Sequence, residues 1–156
     1  MSKREDYWND EYFNYWTSRV KESVDVGSMK SDIVEKDFVV PSDDIYNKII
    51  NDNNIRDARI LDVGCCWGRM FNFYHSRNLD IFGVDISEKM VKEAQKLSEK
   101  FPVKLKVATA ESLPFKDSFF NHIFCFGVFD ATFQHKALSE FIRTLKVNGT
   151  IVVSGK

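Results

Sequence analysis

Short apolar runs that alternate with helical patterns predict an α/β fold of parallel strands joined by crossover helices. Three observations carry that prediction. From residue 59 onward, five runs rich in β-branched or aromatic residues recur along the chain, with helical patterns between them. The segment Ile60 to Arg69, ILDVGCCWGR, reads as a strand entering a glycine-bearing turn and then a helix. The stretch after Ser87 sets Met90, Ala94, Leu97 and Phe101 on one face and Glu88, Lys89, Lys92, Glu93 and Lys96 on the other, a helix with one side to bury.

Taken in order, residues 5–21 place Trp8, Tyr12, Tyr15 and Trp16 at helical spacing with Asp10, Glu11 and Asn14 between them, which predicts an amphipathic helix with an aromatic face. Lys21 to Val40 alternates charges with scattered valines and reads as a loop-rich connection. After Pro41, Ser42 is placed to cap a helix with Asp43 and Asp44 in its first turn, where acids suit the helix dipole. Ile45, Tyr46 and Ile49 form its buried face, and the polar run from Asn51 ends it. The strands fall at Arg59–Val63, Ile81–Val84, Val103–Val107, His122–Phe126 and Thr150–Val153. A last helix carries Leu138, Phe141, Ile142 and Leu145 at the same spacing, with Asn148-Gly149 as its stop before TIVV. No repeat or flexible linker divides the chain, so residues 1–41 read as an N-terminal helix and cover and 42–156 as the core of one domain.

A chain of 156 residues, 44% of them hydrophobic, suffices for one buried core. Lysine and arginine number 22 against 23 acids, and the resulting net charge of -1 offers no basic field to nucleic acid or to an anionic membrane. The expected partner is therefore a small molecule. No apolar run reaches the roughly 18 residues needed to span a bilayer, and the start MSKREDYWND holds no signal-peptide core. The three cysteines, Cys65, Cys66 and Cys125, lack a metal-ligand spacing, which points to reduced thiols, a cytoplasmic location and no metal site.

A strand that enters a tight turn and a helix leaves backbone amides directed outward, a corner suited to a nucleotide. Two cofactor classes use such corners. The dinucleotide pattern GxGxxG, started at Gly64, meets Cys66 and Arg69 at its other two glycine positions. The run Asp62, Gly64, Cys66, Gly68 instead resembles the first motif of class I S-adenosylmethionine-dependent methyltransferases, an acid followed by three alternate glycines, with cysteine at the middle one. The resemblance continues in order. Gly83-Val84-Asp85-Ile86-Ser87 is similar to the second-strand motif, whose acid accepts hydrogen bonds from both ribose hydroxyls. Asp85 follows Gly64 at a spacing that suits a nicotinamide cofactor equally. Ala110-Glu111-Ser112-Leu113-Pro114-Phe115 resembles the third-strand exit beside the adenine, with Thr109 where many members carry aspartate. ALSEFIRTLKVNGTIVV from Ala137 resembles the helix, turn and fifth strand.

What the resemblance implies is a Rossmann-like sheet of order 3-2-1-4-5 with helices on both faces, the family's strands 6 and 7 being absent before Lys156. A fragment, a degenerate protein and a chain completed by another all fit that ending. It further implies an S-adenosylmethionine site built from Asp62, Gly64, Cys65, Gly68, Asp85, Ile86, Ala110, Glu111 and Phe126. Tyr12 and Trp16 of the leading helix, with Phe129, are the candidates for the pocket of a small-molecule methyl acceptor, and Trp67 lies at a strand end where ligands also bind. Methyl transfer from a sulfonium needs in-line approach and exclusion of water more than an acid or base, so no catalytic side chain is named. His122 reads as a satisfied core histidine, and His75 and His135 as surface helix residues. The leading expectation is a methyltransferase acting on a small molecule. The second is a non-catalytic cofactor-binding or partner module, and the third a nicotinamide dehydrogenase. TIVV is continuously apolar, so a fifth strand left at the edge is expected to mediate homo- or hetero-association.

Overall fold

Strand β1 (Arg59–Val63) runs down the middle of a sheet whose other members are β2 (Asp80–Asp85), β3 (Val103–Val107), β4 (Phe120–Phe126) and β5 (Leu145–Ser154). This computed structural model describes residues 3–14 and 43–154, without the side chains of Tyr12 and of residues 43–47. The order is β3-β2-β1-β4-β5, and every pairing is parallel. The fold is therefore an α/β sheet, as the sequence pattern predicts, in the order 3-2-1-4-5 that the resemblance implies.

Period-two side-chain alternation divides the core into two layers. Ile60, Ile81, Phe124 and Phe126 face one layer, where Ile50, Ile55, Phe71, Tyr74 and Ala94 meet them. Leu61, Val63, Val84, Ile123 and Cys125 face the other, against Ala137 and Phe141. The first layer is covered by α2 (Asp43–Asp52), α3 (Phe71–His75) and α4 (Glu88–Gln95), and the second by α5 (Gln134–Thr144). At the chain start, α1 (Lys3–Asp6) passes into a π-helical stretch at Tyr7–Tyr12. The predicted Tyr15 and Trp16 lie outside the described residues.

Local chemistry sets the boundaries. Ser87 caps α4, its hydroxyl accepting from the Met90 N–H at 3.3 Å, as its sequence position predicts. At the end of α2, Asn54 takes φ +51 and Ile55 N–H closes onto the Ile50 carbonyl at 2.9 Å, so the NDNN run does end the helix. Its buried apolar residue is Ile50, while Ile49 is half-buried. Three further expectations are corrected. Leu138 and Ile142 of α5 are exposed at 41% and 62%, because the helix turns Ala137, Phe141 and Thr144 inward instead. Asn148-Gly149 does not stop α5: the helix ends at Thr144 and β5 starts at Leu145. Asn148 instead takes φ +63 inside β5, where the ladder to β4 shifts register between Phe120 and His122. Nor is His122 satisfied, since its buried Nδ1 has no hydrogen-bond partner among the described residues. No helix among the described residues is long and apolar enough to cross a membrane.

Candidate functional site

The carboxyl ends of β1, β2 and β4 meet around the glycine turn, and what that turn does with its backbone amides decides what it can bind. Gly64 and Cys65 N–H both donate to the Val84 carbonyl, at 2.8 and 3.0 Å, and Gly68 N–H donates to the Cys65 carbonyl at 2.9 Å. Cys66 N–H donates to Asp85 Oδ2 at 2.9 Å. Four of the turn's amides are thus already spent within the protein.

Glycine is required here for close packing as much as for backbone freedom. Gly64 and Gly68 sit at φ +74 and +89, and a Cβ on Gly64 would lie 2.4 Å from Val128 Cγ2. Cys66 accepts the left-handed region, at φ +54, and its thiol lies 3.5 Å from the Met90 sulfur. That conformation aims the Cys66 amide at Asp85, whose other oxygen accepts the Ser87 N–H at 2.9 Å. A carboxylate has about four lone-pair sites, so with the Ile86 amide also engaged one remains for a ligand hydroxyl.

Beneath the turn, Asp62 is 3% exposed and its Oδ2 has no hydrogen-bond partner among the described residues. Burial pushes its carboxyl up to about 7, the Arg69 cation draws it down, and the Asp85 charge adds to the rise. Burial likewise pushes Asp85 up to about 6 against the hydrogen bonds from the Ser87, Cys66 and Ile86 amides. Asp62, buried, and Asp85, half-buried, are two carboxylates each destabilised in its charged form, and together they make a place for a cation. Arg69, which sequence reasoning passed over, donates to the Phe126 carbonyl at 3.1 Å and ties the turn to the end of β4.

The remaining sequence-predicted residues divide by their surroundings. Ile86 is half-buried next to Asp85, and Ala110 is buried where the chain leaves β3. The Cys65 side chain is buried against Gly83, and the Phe126 ring stacks on Phe124 at 5.5 Å within the core. Phe129 packs on Phe141 at 6.3 Å. Glu111 spends its carboxylate on Arg4, at 2.8 Å, and on the Phe133 N–H, at 2.7 Å. The Tyr12 side chain and Trp16 lie outside the described residues. Burial pushes the Cys66 and Cys125 thiols up to about 12 and raises Cys65 as well, which keeps all three protonated and poor nucleophiles. Among the described residues no group of His, Cys, Asp and Glu side chains could hold a metal ion.

Comparison with known proteins bears on the family and the fold. The sequence model of the methyltransferase domain family matches residues 61–153. A Campylobacter jejuni protein named as a ubiquinone/menaquinone biosynthesis C-methyltransferase is 32% identical over 107 residues, covering 63% of this chain and 44% of its own length. An uncharacterized Methanocaldococcus jannaschii protein is 31% identical over 100 residues, or 64% of this chain and 41% of its own. The chain thus spans less than half the length of these curated relatives. Among solved structures, a Pyrococcus horikoshii protein superposes with a TM-score of 0.72 at 20% identity, over 94% of this chain and 66% of that one. A Methanococcus maripaludis protein described as a putative S-adenosyl-L-methionine-dependent methyltransferase gives 0.69 at 22% identity, over 80% and 59%.

Proposed function

The chain belongs to the methyltransferase domain family, and on that premise we propose that it binds S-adenosylmethionine and serves transfer of the methyl group to a small molecule. The observation that carries this reading is the charge of the site. Asp62, buried, and Asp85, half-buried, place two carboxylates at a turn four of whose amides are internally spent, which favours a cationic ligand over an anionic one. S-adenosylmethionine brings a sulfonium and an ammonium.

In this reading Asp85 accepts from a ribose hydroxyl on its remaining lone-pair position, and Ala110 lies beside the adenine. Asp62 faces the cationic end, and Gly64, Cys65 and Gly68 supply the close backbone wall. The reaction moves the methyl from sulfur to a nucleophilic atom of the acceptor. When bound, S-adenosylmethionine would supply an electrophilic methyl whose carbon–sulfur bond gives its electron pair back to sulfur, and an acceptor carbon would release its displaced proton to solvent or to a base on the acceptor itself. Beyond the turn, half-buried Val128 and Phe129 and the exposed Phe133 offer an apolar surface. With the C-methyltransferase named above as a relative, an acceptor carbon in an apolar ring system is the class to test first.

Titration calorimetry with S-adenosylhomocysteine and with NAD separates the cofactor classes. Saturable binding of the first and none of the second is expected. NAD binding, or no binding of S-adenosylhomocysteine, overturns the reading.

A further inference from the structure

Glu111 stands directly after Ala110 at the exit of β3, where a cofactor contact is the simplest expectation, yet its carboxylate is taken. Arg4 Nη1 donates to Oε1 at 2.8 Å and Nη2 to Oε2 at 3.3 Å, a two-pronged ion pair. The Phe133 N–H donates to Oε1 at 2.7 Å, and the Arg4 guanidinium lies 6.0 Å from the Phe133 ring centroid. Burial alone would raise the Glu111 carboxyl. The hydrogen bonds from Arg4 and Phe133 outweigh it and hold the group below its ordinary value.

The same N-terminal segment is fastened a second time, on the far side of the nucleoside region. Asn9 Oδ1 accepts from Ser87 Oγ at 2.9 Å and from the Lys89 N–H at 3.4 Å, and Asp10 pairs with Lys89 at 2.7 Å. Ser87 lies two residues past Asp85, and Glu111 one past Ala110. Arg4 to Asn9 therefore bridges the exits of β2 and β3, where the proposed ribose and adenine contacts lie. The two fastenings differ in strength. Asp10 and Lys89 keep side-chain exposures of 63% and 43%, and an exposed pair contributes little. Glu111 keeps only 10% and Arg4 29%, so their charges act through a drier path.

We propose that residues 3–13 form a strap across the nucleoside end of the cofactor site, and that the Arg4–Glu111 ion pair is the latch that sets how fast cofactor enters and leaves. Glu111 is on this account a positioning residue, acting through Arg4 and not by touching cofactor. Its third bond, from the Phe133 N–H, ties Glu111 to the start of α5 and the loop after β4. The inference rests on the cofactor reading given above.

Association and dissociation rates of S-adenosylhomocysteine, followed by tryptophan fluorescence in stopped flow, test it together with backbone amide exchange over residues 3–13 in the unliganded protein. Losing a charge-assisted pair in Arg4→Ala is expected to raise both rates about tenfold, with the dissociation constant moved far less and amide exchange over the strap accelerated. Arg4→Lys, which keeps the charge, recovers most of the slowing. Glu111→Gln, which keeps an acceptor for Phe133, behaves like Arg4→Ala and guards against a misfolded variant. Faster amide exchange with unchanged ligand rates overturns the latch. A weakened affinity arising from dissociation alone assigns the pair to direct ligand contact and overturns it too. If wild-type protein shows strap protection that depends on Arg4 but binds no S-adenosylhomocysteine, the cofactor reading has failed, and the latch with it.

Discussion

The Asp62 carboxylate is buried at a cost to the fold, and that cost makes its contribution measurable. Its acid strength is set near pH 7 in the folded protein against 3.8 for an unperturbed aspartate. The folded state therefore binds more protons than the unfolded state between those values, and stability from this group falls as pH rises from about 4 to 7. Asp62→Asn keeps the shape and removes the charge, so it is expected to raise stability at pH 8 by about 2–4 kcal/mol and to do far less at pH 3, where both states are protonated. Urea unfolding at the two pH values checks this, and an Asn variant no more stable than wild type at pH 8 would refute the burial account. A cationic ligand selects the ionised carboxylate. Wild-type affinity for S-adenosylhomocysteine, whose ammonium is the cation here, should accordingly tighten as pH rises through 6 to 7.5, and the variant should bind weakly with that trend flattened.

In α5 the helical period alone did not choose which of two adjacent faces would be buried. Leu138, Phe141, Ile142 and Leu145 satisfy an i, i+3, i+4, i+7 pattern, yet Phe141 is fully buried and Ile142 is 62% exposed. The reason lies in partners remote in sequence. Arg143 is drawn to the loop before β4, donating to the Leu113 and Phe115 carbonyls at 3.0 and 2.8 Å and to Asp117 at 2.7 Å, while Glu140 accepts the Leu113 N–H at 2.7 Å. This clamp orients the helix with Ala137, Phe141 and Thr144 inward. Phe141→Ala is then expected to cost about 3–5 kcal/mol as a core truncation, and Ile142→Ala less than about 0.5 as a surface change, both read from denaturant midpoints. Equal losses at the two positions would restore the periodic reading.

The same distinction explains what the sequence disclosed elsewhere. β1 and β3 coincide with their predicted bounds because their neighbours in the chain are turns with clear signals. β5 extends back to Leu145 because pairing with Phe120, across a register shift, recruits residues that read locally as a helix stop. In the candidate site, Asp62, Gly64, Gly68 and Asp85 were singled out by resemblance to family motifs on two strands that the fold sets side by side. The Arg69 contact with β4, the packing of Val128 over Gly64 and the engagement of Glu111 with Arg4 were not, since each joins segments whose proximity only the fold creates.

The sheet ends in two edges of different character, and the difference bears on how the whole molecule behaves in solution. At β3 the exposed positions are Lys104, Lys106 and Val107, and Lys104 is held by Asp80 on β2, so charge blunts most of that edge. At β5 no such protection stands among the described residues: Val147 is 88% exposed and Val153 44%, on a ten-residue strand that pairs there only with β4. An unpaired edge of that length is a template for another strand. Two copies meeting antiparallel about Thr150 would set Val147 of each opposite Val153 of the other, an apolar match with no like charges opposed. Sedimentation from about 1 to 100 μM should therefore show concentration-dependent association. Val147→Lys combined with Val153→Lys should abolish it, with a change in stability within about 0.5 kcal/mol per surface site. Cofactor affinity should be untouched by the double variant, because the glycine turn is built on β1 and β2 at the other side of β4. A monomer throughout that range in the wild-type chain would show that the exposed valines are harmless, and retained association in the double variant would move the interface away from β5.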